Sequence, residues 1–229
     1  MERVAALEGE LPLLVIAPHG PDDHNTDIIA EKIHHEMDAY AVINYGWRRA
    51  PKVDYWQDQA NCNDVRHLHE DVVKEEVLDP ILRFKSRIIR DYGFCYVFIL
   101  HGVGNYIRKQ AQDDKLDLII GYGAGNPPSF SCEPRIKDAF IYYAEKHGFG
   151  AYEGLSGGQF AGKAKNNLNQ LFRRWYPNNR VHSMQIEIIK EFREEKDICD
   201  ITAMELASIM DDLLEFDDST DILIQPSTI

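Results

Sequence analysis

The chain has 229 residues, of which 44% are hydrophobic, and its formal net charge at pH 7 is -13. This length and composition suffice for one substantial hydrophobic core, and nothing demands a second domain. The negative charge argues against a nucleic acid or an anionic membrane as a partner, because both require a basic protein face. No apolar run approaches the roughly 20 residues of a membrane span, and the N-terminal segment lacks the basic-then-apolar order of a signal peptide.

Predicted strands alternate with predicted helices along the chain. Short apolar runs bounded by glycine or polar residues predict strands at LLVIAPHG, YAVINYG, CYVFILHG, LDLIIGYG and VHSMQIEII, and a further short strand is predicted before the Gly157-Gly158 turn. Helical spacing of apolar residues predicts helices in the intervening segments. These run from Thr26 to Asp38, from His67 to Arg90 with an interruption or kink at Pro80, from about Glu133 to His147, from about Asn166 to Trp175, and finally to about Phe216.

This alternation predicts a single α/β domain over residues 1–229, with a mostly parallel sheet, mixed at an edge, flanked by helices. The tail from about residue 217 is polar at first and is expected either to pack loosely or to add an edge strand. The four cysteines are scattered, without the close pairs that hold structural zinc, so we expect reduced thiols in a cytoplasmic protein. The sequence does not indicate an oligomeric state.

Two of the predicted strands end in the same dipeptide, His-Gly. LLVIAPHG places His19 at one strand end, and CYVFILHG places His101 at another. In an open α/β sheet, ligands bind just beyond the carboxyl ends of the strands. A single histidine in this position is more often structural. Two of them, the first followed by an acidic turn, favour a shared metal ion.

The acidic turn PHGPDDHNTD offers a third metal ligand. Zinc in hydrolytic sites is bound by imidazole nitrogens and a carboxylate, with one position left open for water. Asp22, Asp23 and His24 are all candidates, and the geometry of the turn decides which of them faces the metal. The alternative is that the aspartates cap the helix beginning at Thr26, where the helix dipole favours negative charge.

Glu187 lies inside the apolar run VHSMQIEII. Strand alternation places it on the face opposite Met184 and Ile186. A carboxylate in a central strand is costly unless it is paired or functional. A general base that takes a proton from zinc-activated water needs such a sheltered position. The alternative is an edge strand with Glu187 in solvent.

Two arginine pairs beside aromatic residues stand out in this acidic chain, Arg48 with Arg49 and Arg173 with Arg174. Arginine binds carboxylates bidentately and can polarise a carbonyl oxygen as charge develops on it. We therefore expect Arg48, Arg49 and Arg173 to bind substrate. Arg174 is expected to take part in catalysis. For any single arginine, solubilisation of the surface is the default alternative.

A polar loop that extends to about Asn63 follows the second predicted strand. It is too polar to pack in a core and long enough to suggest a functional role. Asn61 and Asn63 in this loop are candidates for neutral hydrogen bonds to a substrate.

In this order, the motifs resemble the N-formylglutamate amidohydrolase family and its relatives that hydrolyse poly-γ-glutamate. The matching elements span roughly residues 13–190 and are APHG with TDIIA, the loop from WRR to ANCN, LHG, YEGLSGG and VHSMQIEI. The resemblance implies a zinc-carboxypeptidase-like α/β fold, one catalytic zinc per chain, and hydrolysis of an amide on an amino-acid-like substrate. By this likeness, His19 and His101 fall on zinc-ligand positions and Glu187 on that of the catalytic glutamate.

The chain departs from the family pattern at two places. The polyglutamate-cleaving relatives carry a glutamate after the His-Gly dipeptide. Counting back from the helix start at Thr26, that position is Asp23, whereas counting forward from His19 it is nearer His24. We take Asp23 as the third ligand, because one carboxylate then replaces another. The arginine that formylglutamate enzymes carry soon after their double glycine has no counterpart before Arg173.

The sequence therefore predicts a cytoplasmic zinc-dependent hydrolase that cleaves the amide of an N-acylated or γ-linked acidic amino acid, a small-molecule substrate. Zinc would lower the pKa of its water to about 7 and polarise the scissile carbonyl. Glu187 would act as general base, and Arg49 or Arg174 would hold the substrate carboxylate. Two alternatives are a metal-dependent deacylase of a non-amino-acid amide, and a metal-binding or ligand-sensing protein of the same fold without turnover.

Overall fold

The computed structural model describes residues 2–20, 22–48, 60–154, 160–178 and 180–216. The strands of these ranges join one seven-stranded sheet in the order β1-β3-β2-β4-β7-β5-β6. Their bounds are β1 (Val4–Leu7), β2 (Leu13–Ala17), β3 (Tyr40–Asn44), β4 (Cys95–Val103), β5 (Leu118–Gly121), β6 (Ala151–Glu153) and β7 (Val181–Ile189).

Helices cover both faces of the sheet. Their bounds are α1 (Thr26–Met37), α2 (Asp71–Val73), α3 (Asp79–Tyr92), α4 (Tyr106–Ala111), α5 (Pro134–Lys146), α6 (Leu168–Phe172) and α7 (Lys196–Leu214). Apolar residues of α1, α5 and α7 share one core cluster with one face of the sheet, and those of α3 and α6 share a second cluster with the other face. Because both faces are buried, the central strands read as nearly continuous apolar runs.

The predicted α/β fold with a mostly parallel sheet is confirmed. β3, β2, β4 and β7 run parallel to one another, and β5 and β6 form a second parallel pair. β1 is antiparallel to β3, and β5 is antiparallel to β7. The mixed pairing therefore occurs inside the sheet as well as at the predicted edge. The sequence did not predict β1 and α4, since each is too short to show a clear period.

The helix predicted between residues 67 and 90 is interrupted close to the proline, as expected. A π-helical turn at Lys74–Leu78 separates α2 from α3. Pro80 has no N–H group and cannot donate to the carbonyl of Glu76 four residues earlier. The loss of this hydrogen bond explains why the helical bonding changes directly before the proline.

The strand order creates a switch point where the candidate site lies. β2 is flanked by β3 on one side and by β4 on the other. The chain passes from β2 through α1 to β3, and then returns across β2 to enter β4. The connections of β2 and β4 therefore diverge at their carboxyl ends, which is the position where ligands bind in open α/β sheets.

All four cysteines are free and buried, in keeping with the reduced thiols predicted from the sequence. Burial raises the pKa of Cys62 to about 12. Within the described ranges, no helix combines the length and the apolar character that a membrane crossing requires. The tail from about residue 217 lies outside the described residues.

Candidate metal centre

His19 and His101 meet at the switch point. His19 follows the end of β2, and His101 lies near the carboxyl end of β4. Their exposed fractions are only 4% and 3%, and their ring centroids are 5.1 Å apart. The structure thus brings together the two histidines that the strand-end pattern singled out.

Asp23 completes a triad with the two histidines. Its Oδ2 atom lies 3.3 Å from Nδ1 of His19 and 3.4 Å from Nδ1 of His101. One potential ligand atom from each of the three residues lies within 4.8 Å of the others. The backbone N–H of Gly102 donates to the same Oδ2 atom at 3.2 Å. Two imidazoles and one carboxylate form the donor set that hydrolytic zinc sites use.

The turn after β2 selects Asp23 from the three candidates. The N–H groups of Asp22 and Asp23 both donate to the carbonyl of His19 at 2.7 Å. Asp23 is consequently buried at 5% exposure, whereas Asp22 is half-buried and His24 is exposed. Asn25, and neither aspartate, occupies the N-cap position of α1.

The carboxyl group of Asp23 is held in its charged form. Burial by itself would raise its pKa, but hydrogen bonds to His101 and His19, together with the charges of these rings, outweigh burial and lower the pKa well below its usual value. A metal ligand must be deprotonated. Asp23 meets this condition throughout the neutral pH range.

Asn61 fixes the orientation of the His19 ring. Its Oδ1 atom lies 2.7 Å from Nε2 of His19 and accepts a hydrogen bond from the N–H of Asn63 at 3.0 Å. An amide oxygen only accepts, so Nε2 carries a proton. In the protonated ring Nδ1 donates to Asp23, and in the neutral ring the lone pair of Nδ1 faces the carboxylate. Two acceptors that face each other in this way need a cation or a proton between them. Metal-bound histidines commonly donate their second ring N–H to a carbonyl or carboxylate oxygen, so the arrangement fits zinc.

Glu187 occupies the sheltered position predicted for it. Met184 and Ile186 point into the core on one face of β7, and Glu187 alternates to the other face with an exposure of 8%. β7 lies between β4 and β5, so the edge-strand alternative is wrong. Glu187 is paired in register with His101 on the neighbouring strand. The predicted general base and a predicted metal ligand are therefore adjacent in the sheet.

Gln185 holds the carboxylate of Glu187 in place. Its Nε2 atom donates to Oε1 of Glu187 at 3.1 Å and to the carbonyl of Phe160 at 3.0 Å. Its own Oε1 accepts from Nδ2 of Asn167 at 3.1 Å. The roles of Gln185 and Asn167 were not evident from the sequence. The available signal was the position of Gln185 on the same strand face as Glu187.

Arg48 lies at the rim of the site. Its Nη1 atom is 3.6 Å from Oδ1 of Asp22, the neighbour of the buried triad aspartate. Asn44 at the end of β3 donates from Nδ2 to the carbonyls of Pro18, at 2.8 Å, and Trp47, at 2.9 Å. Asn44 therefore joins Pro18, the residue before His19, to Trp47, the residue before Arg48, a role that was not evident from the sequence. Arg49 lies outside the described residues.

Arg174 lies near the amino end of β4, at the opposite end of the strands from the triad. Its guanidinium carbon is 4.2 Å from the centroid of the Trp175 ring, which Nζ of Lys85 also contacts at 3.8 Å. Burial lowers the pKa of Lys85, and the charge of Arg174 lowers it further, whereas the nearby Cys95 acts in the opposite direction. Cys95 begins β4, and about 3.3 Å per strand residue puts it roughly 20 Å from His101. The structure therefore does not bring Arg174, which was predicted to be catalytic, to the triad.

Two predicted substrate-binding residues also make no described contact with the triad. Arg173 is exposed in the turn that follows α6. Asn63 accepts hydrogen bonds from the N–H of Leu168, at 2.9 Å through its backbone carbonyl and at 3.3 Å through Oδ1. Asn63 thus anchors the polar loop to the start of α6, whereas Asn61, the other asparagine predicted to bind substrate, contacts His19.

No protein-family model and no curated protein sequence matches the chain. Solved structures do resemble it. N-formylglutamate amidohydrolase from Ralstonia eutropha JMP134 is 13% identical with a TM-score of 0.59, over 94% of this chain and 97% of that one. A bacteriophage poly-γ-glutamate hydrolase is 9% identical with a TM-score of 0.54, over 93% and 90% of the two chains. Zinc-free YNDL is 16% identical with a TM-score of 0.50, over 93% and 88%. The chain therefore shares the fold of these proteins, as the sequence motifs implied.

Proposed function

We propose that the protein is a zinc-dependent amidohydrolase acting on the amide of an N-acylated or γ-linked acidic amino acid. The observation that carries the proposal is the position of Asp23 Oδ2, which lies 3.3 Å from Nδ1 of His19 and 3.4 Å from Nδ1 of His101. Glu187 lies opposite His101 on the adjacent strand. The fold shared with an N-formylglutamate amidohydrolase and a poly-γ-glutamate hydrolase supports the choice of reaction.

Each side chain of the site has a separate role in the proposed reaction. When bound, zinc supplies Lewis acidity, lowering the pKa of water to about 7 and polarising the scissile carbonyl. Glu187 accepts the proton of the attacking water and delivers it to the leaving amine. Gln185 keeps Oε1 of Glu187 in position through its hydrogen bond of 3.1 Å. Asn61 keeps His19 in the tautomer that presents Nδ1 to the metal position.

A metal analysis followed by a substrate panel tests the proposal. We expect the purified protein to contain about one zinc ion per chain, as a catalytic site of this donor set binds. The panel contains N-formylglutamate, N-acetylglutamate and γ-linked glutamate oligomers, each beside a neutral amide of similar size. The acidic substrates should be hydrolysed, and chelation should abolish turnover until zinc is restored.

The other outcomes of this panel identify the competing functions. Hydrolysis restricted to neutral amides would favour a deacylase of a non-amino-acid amide. Bound zinc without any hydrolysis would favour a metal-binding or ligand-sensing protein. A protein that takes up no zinc would contradict the proposal altogether.

Substrate recognition is expected to depend on the arginines that follow β3. Arg48→Lys should raise KM for an acidic substrate by about tenfold, because lysine keeps the charge but loses the bidentate fork, a loss of about 1.5 kcal/mol for one charge-assisted hydrogen bond. Arg49→Lys, which alters the neighbouring residue, is measured in parallel. Steady-state kinetics on one acidic substrate and its neutral analogue give the comparison.

Arg174→Lys is the matched control for these variants, since Arg174 lies near the amino end of β4, away from the triad. Its KM should equal that of the unmodified enzyme. An unchanged KM in both Arg48→Lys and Arg49→Lys would contradict recognition by this arginine pair.

A further inference from the structure

Arg193 is a buried cation that binds three separate backbone segments. It ends the short turn Lys190–Arg193 after β7 and is only 5% exposed. Its Nη1 atom donates to the carbonyl of His24 at 2.8 Å, Nη2 to that of Val103 at 3.1 Å, and Nε to that of Ile188 at 3.1 Å. The planar guanidinium group holds its donors in a fixed geometry, so these three carbonyls have fixed relative positions.

The three carbonyls lie next to the residues of the candidate site. Each belongs to a residue one or two positions along the chain from a metal-ligand position or from the general base. These pairs are His24 beside Asp23, Val103 after His101, and Ile188 beside Glu187. One side chain therefore sets the position of the acidic turn relative to the ends of β4 and β7.

Gly102 provides the space that Arg193 occupies. A Cβ atom built at Gly102 would overlap the guanidinium group and would lie 2.6 Å from Nε of Arg193. The N–H of Gly102 donates to Oδ2 of Asp23 at 3.2 Å. A glycine is thus required at position 102, because any side chain there would displace the guanidinium group of Arg193. The backbone of the same residue contacts Asp23.

Asn25, two residues after Asp23 in the acidic turn, binds the backbone that follows the side chain of Arg193. Its Nδ2 atom donates to the carbonyl of Arg193 at 2.9 Å and to that of Glu194 at 3.4 Å. Arg193 also lies close enough to Asp23 and Glu187 to interact with their charges. The guanidinium group stays protonated in proteins and offsets these two buried carboxylates.

We propose that Arg193 is a positioning residue that preforms the metal site by joining the Asp23 turn to the strands that carry His101 and Glu187. The inference rests on the proposed function, because it concerns the affinity of the same site for zinc. A ligand set that is already aligned loses less conformational freedom when the metal binds. Replacing outer partners of metal ligands typically lowers metal affinity by about 10–100-fold.

The test measures zinc affinity directly, by competition with a chromophoric chelator, beside kcat, KM and far-UV circular dichroism. Arg193→Met should lower zinc affinity by about 10–100-fold, and kcat at saturating zinc should also fall, because Glu187 is no longer aligned. Arg193→Lys should give an intermediate loss, since an ammonium group cannot reach all three carbonyls in one plane. Arg90→Met is the control, because Arg90 is exposed and pairs with Asp91 at the end of α3.

Gly102→Ala provides an independent route to the same effect. It retains Arg193 but displaces the guanidinium group, so zinc affinity should fall as it does in Arg193→Met. A folded Arg193→Met variant with zinc affinity and kcat within about twofold of the unmodified protein would overturn the inference. If Arg193→Met does not fold, unchanged zinc affinity in both Arg193→Lys and Gly102→Ala would overturn it. Failure of the unmodified protein to bind zinc would instead refute the proposed function.

Discussion

The His101→Ala variant is expected to fold and to bind zinc more than about 100-fold more weakly than the unmodified protein. Even the partners of metal ligands cost about 10–100-fold in affinity when they are replaced, and His101 itself is one of three proposed ligands. With the metal absent, nothing lowers the pKa of the attacking water from about 15.7 to about 7, so turnover should be lost as well. His19→Ala should behave in the same way. Dialysis against limiting zinc followed by elemental analysis measures the metal that each variant retains.

His35→Ala controls for general effects of removing an imidazole, because His35 is exposed on α1. It should retain zinc and full turnover. Circular dichroism of every variant shows whether the chain is folded, which separates loss of the site from loss of the fold. Full zinc occupancy in His101→Ala or in His19→Ala would exclude the altered residue as a metal ligand.

The proximity of His19 and His101 could be predicted from the sequence, because their positions depend on regular secondary structure. Buried parallel strands produce recognisable apolar runs. The carboxyl ends of neighbouring parallel strands lie at the same end of the sheet, whatever the conformation of the loops. His19 and His101 each follow such a run. Glu187 could be placed by the same reasoning, because strand alternation fixes the face of β7 on which it lies.

The choice among Asp22, Asp23 and His24 could not be made from the residues alone. It depends on two hydrogen bonds to the carbonyl of His19, which fold the turn and bury Asp23. A shift of one residue in that turn would direct a different side chain inward. The resemblance to known enzymes selected Asp23, and the described geometry agrees with that choice.

Long-range contacts account for what the sequence did not reveal. The arginine pair that ends at Arg174 has a conspicuous local pattern, yet this pattern carries no information about which end of β7 the pair will lie beside. Arg193 has an ordinary local pattern, but the fold brings its guanidinium group to carbonyls from three separate segments. Asn44 likewise becomes informative only when its contacts with Pro18 and Trp47 are known.

Glu187→Gln is expected to lower kcat by about 10²–10⁴-fold, the usual contribution of positioned acid–base catalysis. Glutamine retains the shape of the side chain, and its carbonyl oxygen can still accept the hydrogen bond that Gln185 donates to Oε1 of Glu187 at 3.1 Å. An amide cannot accept the proton of the attacking water. Zinc content and KM should therefore change little while kcat falls, and all three are measured on the same preparation.

The pattern of these three quantities separates a general base from a structural glutamate. A carboxylate that served only to stabilise β7 would, when replaced, lower the unfolding midpoint and leave kcat nearly normal. Glu191→Gln is the matched control, because Glu191 follows the same strand but has an exposed side chain that pairs with Arg108. It should leave kcat unchanged. Near-normal kcat in Glu187→Gln, with zinc retained, would rule out Glu187 as the base, whereas a selective fall in kcat would assign the proton transfer to the carboxylate beside His101.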